Sequence, residues 1–253
     1  MKNKLATLLV CLTASAAVAQ TYTGNGQTGF GGPVGLGTLS FSDNGSGTVT
    51  GTLTNGNTGV GLNDVFVMYI DTTAGGFSDT STFTDTGAGG DNLRKGISGF
   101  DGTNRSTLTF PTGFQADYAI ALAPNADANF GGLWILDNPA NFTFKSNLNL
   151  TPNNNPNATS YTFTLNLADL GLPTNGTFNF VTTYLNPNGA FRSNEAIGNH
   201  FTNEVAGNFG AGPATATGFS TFTASAVPEP STLSLLAGPA LLGGLFFVRR
   251  RRA

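Results

Sequence analysis

The sequence predicts an all-β fold, a single antiparallel β-sandwich of jelly-roll-like kind, flanked by an N-terminal signal helix and a C-terminal transmembrane helix. Three observations predict it. From Gly37 onward, short alternating runs are separated by clusters of Gly, Asn, Asp and Pro, the strand-and-turn rhythm of a sandwich. Charged residues make up only 10% of the chain, against about 25% in ordinary soluble domains. Gly, Thr, Asn and Phe fill the gap, with 35 Gly and 21 Phe, a mixture that favours strands and turns over helices. The two remaining apolar runs stand at the two ends of the chain. The expected division is residues 1–19 as signal peptide, 20–226 as the β-sandwich and 227–253 as a sorting segment.

Within the body, the expected strands are Thr38 to Ser42, Thr48 to Thr54, Asp64 to Asp71, Ser106 to Phe110 and Asp117 to Ala123. Gly132 to Leu136, Asn141 to Leu150, Ser160 to Leu167, Thr177 to Tyr184 and Thr217 to Ala224 follow. Thr48 to Thr54 and Tyr161 to Leu167 alternate strictly, one face wet and one dry. Val65 to Ile70 is apolar at every position and reads as a central strand covered on both faces. Leu167 to Gly171 is the one expected helical turn, closed by glycine and then Pro173. Asn153 to Asn157 reads as a hairpin loop. Tyr22 to Val34 is Gly-rich, Phe191 to Pro213 is polar with scattered aromatics, and neither has a core of its own.

Both ends read as addresses. Lys2 and Lys4, an apolar stretch from Leu5 to Val18 and Ala17-Val18-Ala19 before Gln20 have the order of a secretory signal peptide, with signal peptidase cleaving between Ala19 and Gln20. A buried N-terminal helix is the alternative. The single cysteine, Cys11, falls in this segment, so cleavage leaves no disulfide, thiolate metal site or cysteine nucleophile. Between Gln20 and Pro228 stand thirteen acids and five bases. A body near −8 repels phosphates, which argues against nucleic-acid binding.

At the other end, Val227-Pro228-Glu229-Pro230-Ser231-Thr232 precedes an apolar run from Leu233 to Val248 and then Arg249, Arg250, Arg251 and Arg252. The run gives about 24 Å of helix, a little short of a hydrocarbon core of about 30 Å. Snorkelling arginines can cover the difference and hold that end in the cytoplasm. The prolines keep the preceding backbone extended, as a processing site needs. This tail resembles the PEP-CTERM sorting domain of Gram-negative bacteria over Val227 to Ala253. Pro239 departs from an uninterrupted span and would kink it. The resemblance implies an exosortase that recognises Pro228, Glu229 and Pro230 and removes the tail. It also implies transient anchoring in the cytoplasmic membrane with the body outside, then release to the cell surface or biofilm matrix. A plain C-terminal anchor is the alternative.

Two stretches of the body resemble extracellular carbohydrate-binding sandwiches of the DOMON and family 9 type. They are Tyr69-Ile70-Asp71-Thr72, and Leu165 to Leu172 followed by Gly176 to Tyr184. The likeness is one of fold, and no ligand comes with it.

Residues fit for chemistry are sparse. Asp43, Asp79, Asp85, Asp91, Asp101, Asp127 and Asp137 have the neighbours of turn residues that cap their own backbone. His200, the one histidine, has no second His or Cys to share a zinc ion with and reads as a loop residue. Among cofactors only calcium is a candidate, at Asp79, Asp85, Asp91 and Asp101, whose stretch lacks EF-hand spacing. A sugar platform needs an exposed aromatic ring. Trp134 and Tyr184 are the first choices and Phe191 and Tyr118 the next, although Leu133-Trp134-Ile135-Leu136 also reads as core. Gly29 to Gly37 has no following helix and no Lys-Thr pair, which excludes a phosphate loop. The preferred function is a non-enzymatic surface or matrix protein delivered by its tail. A carbohydrate-binding module of an extracellular polysaccharide is second, and an enzyme built on paired aspartates is third.

Overall fold

The computed structural model describes residues 19–125, 130–202 and 208–225. The signal segment before Ala19, Asp127, Pro228 to Pro230, the apolar run and Arg249 to Arg252 lie outside the described residues.

The strands are β1 (Gln20–Thr23), β2 (Thr38–Asp43), β3 (Thr48–Thr54), β4 (Val65–Asp71), β5 (Leu108–Thr109), β6 (Tyr118–Ala123) and β7 (Phe130–Ile135). They continue with β8 (Thr143–Asn147), β9 (Ser160–Asn166), β10 (Thr177–Asn186), β11 (Phe191–Ser193), β12 (Asn208–Gly210), β13 (Ala214–Thr215) and β14 (Ser220–Thr223). A helix, α1 (Asn92–Ser98), stands between β4 and β5, and a 3-10 turn covers Leu167–Leu170. The small sheet runs β1-β2-β3-β9 and the large one β12-β11-β10-β4-β6-β7-β8, with β14 sharing the β10 edge with β11. All pairings in both sheets are antiparallel. This is a mostly β architecture consistent with a sandwich.

Alternation sets which face is buried. On β3, Val49, Gly51 and Leu53 point inward while threonines face out, and β9 does the same with Tyr161, Phe163 and Leu165. The outward threonines pair across strands, Thr50 with Thr164 and Thr52 with Thr162, as a wet sheet face allows. Gly51 makes room for its cross-strand partner. A Cβ there would lie 2.2 Å from the ring of Phe163.

The first core fills the space between the sheets, with Phe41 surrounded by the rings of Tyr22, Phe163, Phe178, Phe180 and Phe222. A second core lies on the other face of the large sheet, where Val65, Val67 and Tyr69 meet Leu93 and Ile97 of α1, Leu108 and Phe110. β4 is buried on both faces, and its continuous apolar run is the sequence consequence. The large sheet therefore carries a third, irregular layer that the two-sheet expectation lacked.

Three expectations need correction. α1 is a helix beyond the one expected turn at Leu167 to Gly171; it offers only Leu93 and Ile97 at helical spacing and contains Gly96, which lets it sit against Val65. Its ends follow the usual rules: Asp91 accepts a 2.8 Å bond from Leu93 N–H at the N-terminus, and Gly99 ends it at φ 58°. The strand expected over Asn141 to Leu150 stops at Asn147, because Asn149 takes φ 53°. The chain there changes sheet: Leu148 N–H bonds Gly131, Thr164 N–H bonds Leu148, and Thr151 pairs with Thr162. Finally, β1 and β11 to β13 were not expected as strands, and each is only two to four residues long.

The opposite side of the sandwich is closed by the two ends of the domain. Gln20 Nε2 donates to Thr223 O at 2.6 Å and Tyr22 Oη donates to Thr221 O at 2.6 Å, tying β1 of the small sheet to β14 of the large one.

Candidate functional site

The end of the large sheet where β4 stops and β10 begins opens into a cleft of about 640 Å³, which continues past Thr109 to Thr112 into a second lobe by Phe219. Asp71 is the last residue of β4 and stands opposite Asn179 of β10 in register. Burial raises the carboxyl of Asp71 above its ordinary range, the Asn179 amide and a Gln115 N–H pull it back, and the Asp117 charge adds to the rise. Asn179 Oδ1 also accepts from Thr221 Oγ1 at 2.8 Å, so a polar row crosses β4, β10 and β14. Asp117 Oδ2 accepts from the N–H groups of Thr72 and Thr73 at 2.9 and 3.0 Å and from both hydroxyls, which fixes the turn at the rim. On the other wall the rings of Phe110, Phe114 and Phe219 follow one another at 5.2 and 5.9 Å between centroids, with Tyr69 buried behind Phe110 at 4.9 Å. The row ends at the surface, where Phe219 is 38% exposed. None of the lining residues is basic.

The aspartates expected to hold calcium do not converge. Asp79 accepts from Ser81 N–H, Asp91 caps α1, and Asp85 accepts from Gly87 N–H, Phe142 N–H and the Arg94 guanidinium. Asp101 takes N–H bonds from Thr103, Asn104 and Gly189; against the rise that burial gives, the Asn104 amide and these groups hold its carboxyl down to about 2. Among the described residues no three His, Cys, Asp or Glu side chains gather as a metal site. These carboxylates serve neighbouring backbone, as short acidic side chains in Gly-rich turns do. Asp43 does likewise with Gly45 N–H.

The expected platform aromatics are also placed elsewhere. Trp134 is 2% exposed in the second core and Tyr184 is 1% exposed in the first, on opposite faces of the large sheet. Neither ring can stack on a sugar. Tyr184 Oη instead accepts from Asp64 N–H at 3.0 Å. Phe191, at 48%, does face solvent, but on β11 and away from the cleft lining. His200 is exposed, and its carbonyl accepts from Thr217 N–H.

The Gly-rich segment excluded as a phosphate loop does hold an anion, the chain's own Glu195. Its carboxylate is fully buried and accepts from Phe30 and Gly32 N–H at 2.6 and 3.1 Å and from Val34 and Gly35 N–H at 3.0 Å each. Successive backbone N–H groups converging on one charge form an anion nest. Gly35 is required there, since a Cβ would lie 2.0 Å from Gln27 O.

Asp64 lies nearby. Burial pushes its carboxyl up to about 6, with the Asn186 amide at 2.7 Å pulling back and the Glu195 charge adding to the rise. The folded chain therefore holds this proton more tightly than the unfolded one. The resulting stabilisation is complete below about pH 4 and is lost as pH rises through about 6. Asp64→Asn is expected to remove that slope, so that wild type loses on the order of 2 kcal/mol against the variant between those limits. Urea midpoints across the range measure it, and parallel profiles for the two proteins would refute it.

Residues 226–252 match the family model described as the PEP-CTERM protein-sorting motif. The chain carries a PEP-CTERM sorting motif. The match supports an exported, membrane-anchored precursor that exosortase recognises and processes. Among the described residues no helix is long and apolar enough to cross a membrane, and the sorting motif lies beyond them. No curated protein and no solved structure matches the chain, and the likeness of its body to DOMON and family 9 sandwiches is not shown.

The sequence pattern did not mark Asp71, Gln115, Asn179 and Phe219 as cleft residues. Two of them lay inside stretches already singled out, since Asp71 ends Tyr69-Ile70-Asp71 and Asn179 falls within Gly176 to Tyr184. Only the register of β4 with β10 brings them together.

Proposed function

We propose that the protein is a non-enzymatic cell-surface or extracellular-matrix protein of a biofilm-forming cell, delivered by its two ends. Signal peptidase removes the segment through Ala19, and the tail anchors the precursor in the cytoplasmic membrane with the body outside. Exosortase then cleaves at the Pro228-Glu229-Pro230 motif and releases the body. The observation that carries this reading is the sorting-motif match over residues 226–252. Two features support it. Gln20, the first residue after the expected signal cleavage, is the first residue of β1 and is bonded to Thr223. The domain closes with β14 and Ser225, whose N–H bonds Asp43, immediately before the matched segment. Both cleavages would thus trim the chain at the edges of a folded body.

The non-enzymatic part of the reading is supported by how the carboxylates are used. Asp117, the acidic neighbour of Asp71 at the cleft, holds the Thr72-Thr73 turn through four bonds to one oxygen. A glycosidase needs two carboxyl groups facing each other across the scissile bond.

Intact-mass measurement of the exported protein, in cells with and without exosortase, tests the processing. The expected outcome is a product starting at Gln20 and lacking Arg249 to Arg252 only where exosortase is present. Retention of those arginines in both strains overturns it.

A further inference from the structure

We infer that the cleft between Asp71, Gln115, Asn179 and Phe219 is a binding site for a neutral polysaccharide chain. The inference rests on the exported-protein reading only for where the ligand is met. Four observations carry it.

The first is chemical pairing. Sugar hydroxyls each offer a donor and an acceptor, and a site that holds them must supply both. Asp71 supplies a carboxylate acceptor at the floor. Asn179 has its oxygen bonded to Thr221 and one amide hydrogen directed to Asp71, leaving a second hydrogen to donate. Gln115 is exposed, with Oε1 accepting from Gly75 N–H at 3.1 Å, and keeps its Nε2 hydrogens for a ligand. Thr109, Thr112 and Thr177 line the same cleft.

The second is the aromatic wall. A pyranose presents an apolar face of C–H groups as well as its hydroxyl rim. Phe219 gives that face a ring at the surface, and Phe114 at 5.9 Å backs it from the core. This is the platform that Trp134 and Tyr184 were expected to provide.

The third is charge. No lining residue is basic, Asp71 in the lining is acidic, and Asp117 adds its charge behind the Thr72-Thr73 rim. Uronate, sulfate and phosphate groups are repelled, which leaves uncharged sugars as the class that fits.

The fourth is shape. The two lobes share Thr109 to Thr112 as a common rim and are both open. An elongated, open trough accepts an interior stretch of a chain, whereas a closed pocket would select a free monosaccharide or chain end.

The test is affinity electrophoresis of the exported protein through gels containing dextran, galactomannan or xyloglucan, with alginate as the anionic comparator. At least one neutral polymer is expected to retard the protein and alginate is not. Phe219→Ala, at an exposed ring, and Asn179→Ala are each expected to weaken retardation about five- to tenfold, with thermal unfolding confirming that both variants are folded. Should Asn179→Ala fail to fold, Gln115→Ala replaces it, since that side chain is exposed. No retardation by any of the neutral polymers overturns the inference. So does retardation that survives substitution, or that alginate matches. None of these outcomes depends on whether the tail is cleaved, so the processing claim stands or falls separately.

Discussion

Glu195→Ala is expected to lower stability by about 3 to 5 kcal/mol. The carboxylate is fully buried, and four backbone N–H groups between Phe30 and Gly35 converge on it, with Ser193 Oγ adding a bond at 3.2 Å. A buried N–H left without an acceptor costs about 1 to 3 kcal/mol, and nearby losses do not add fully. Alanine leaves no acceptor, so the loop from Gly24 to Gly37 must open to water or collapse into the gap. Collapse is obstructed, because Gly24 and Gly35 already lie against facing backbone: a Cβ on Gly24 would meet Gly35 O at 2.2 Å. Arg192 does not substitute as a counterweight. Its guanidinium is fully buried and donates to Ser106 Oγ, Ser106 O and Thr183 Oγ1 at 3.0, 2.8 and 2.7 Å. Urea denaturation at neutral pH should show a midpoint lower by roughly 1 M or more. Glu195→Gln should fall between the two, since one oxygen still accepts while the amide meets donors head-on. A Glu195→Ala variant within about 1 kcal/mol of wild type would show that the nest is dispensable.

The same carboxylate marks the boundary of what the sequence makes legible. Local pattern sufficed where a strand's neighbours only had to supply a dry face. Thr48 to Thr54 alternates because one side of β3 is wet, Val65 to Ile70 does not because β4 is covered twice, and Leu167 to Gly171 carries its own turn signal. Pattern failed where structure depends on residues far apart in the chain. Gly29 to Gly37 is legible as a tight loop, but the anion it holds arrives from about 160 positions away, at Glu195. α1 forms on two apolar residues because the back of the large sheet needs a cover, a demand from tertiary packing rather than from propensity. The aspartates around α1 carry the oxygen chemistry of a calcium loop, and only their N–H and Arg94 partners show that it is already used. Which aromatic ring reaches the surface is set in the same way. Trp134 and Phe219 are both aromatic residues in short strands or their flanks, and only packing decides that the first is buried and the second is not.

Phe41→Ala is expected to cost about 3 to 5 kcal/mol, the range for removing a large buried side chain that its surroundings cannot replace. Phe41 has no exposed surface and stands where both sheets meet. Tyr22 of β1, Phe163 of β9, Phe178 and Phe180 of β10 and Phe222 of β14 surround it with ring centroids at 6.0, 6.2, 5.8, 5.7 and 5.2 Å. Two of these contacts, with Phe178 and Phe180, are edge-to-face and cross between the sheets, an arrangement worth more than the buried area alone. The neighbours are themselves locked in register, so relaxation into the cavity is limited. Phe41→Leu should cost about 1 to 2 kcal/mol because most of the volume remains. Phe191→Ala is the contrast: its ring is 48% exposed on β11, and about 1 kcal/mol or less is expected. Differential scanning calorimetry of the three variants measures the series, and equal losses for Phe41→Ala and Phe191→Ala would contradict the inter-sheet placement of Phe41. The effect should reach the termini. β1 and β14 are joined through Gln20 and Tyr22 directly beside this cluster, so loosening Phe41 frees the strand that precedes the sorting segment. Protection of the Ala224 amide, which donates to Gly176 O at 3.0 Å just after β14, should therefore fall together with the global stability rather than later.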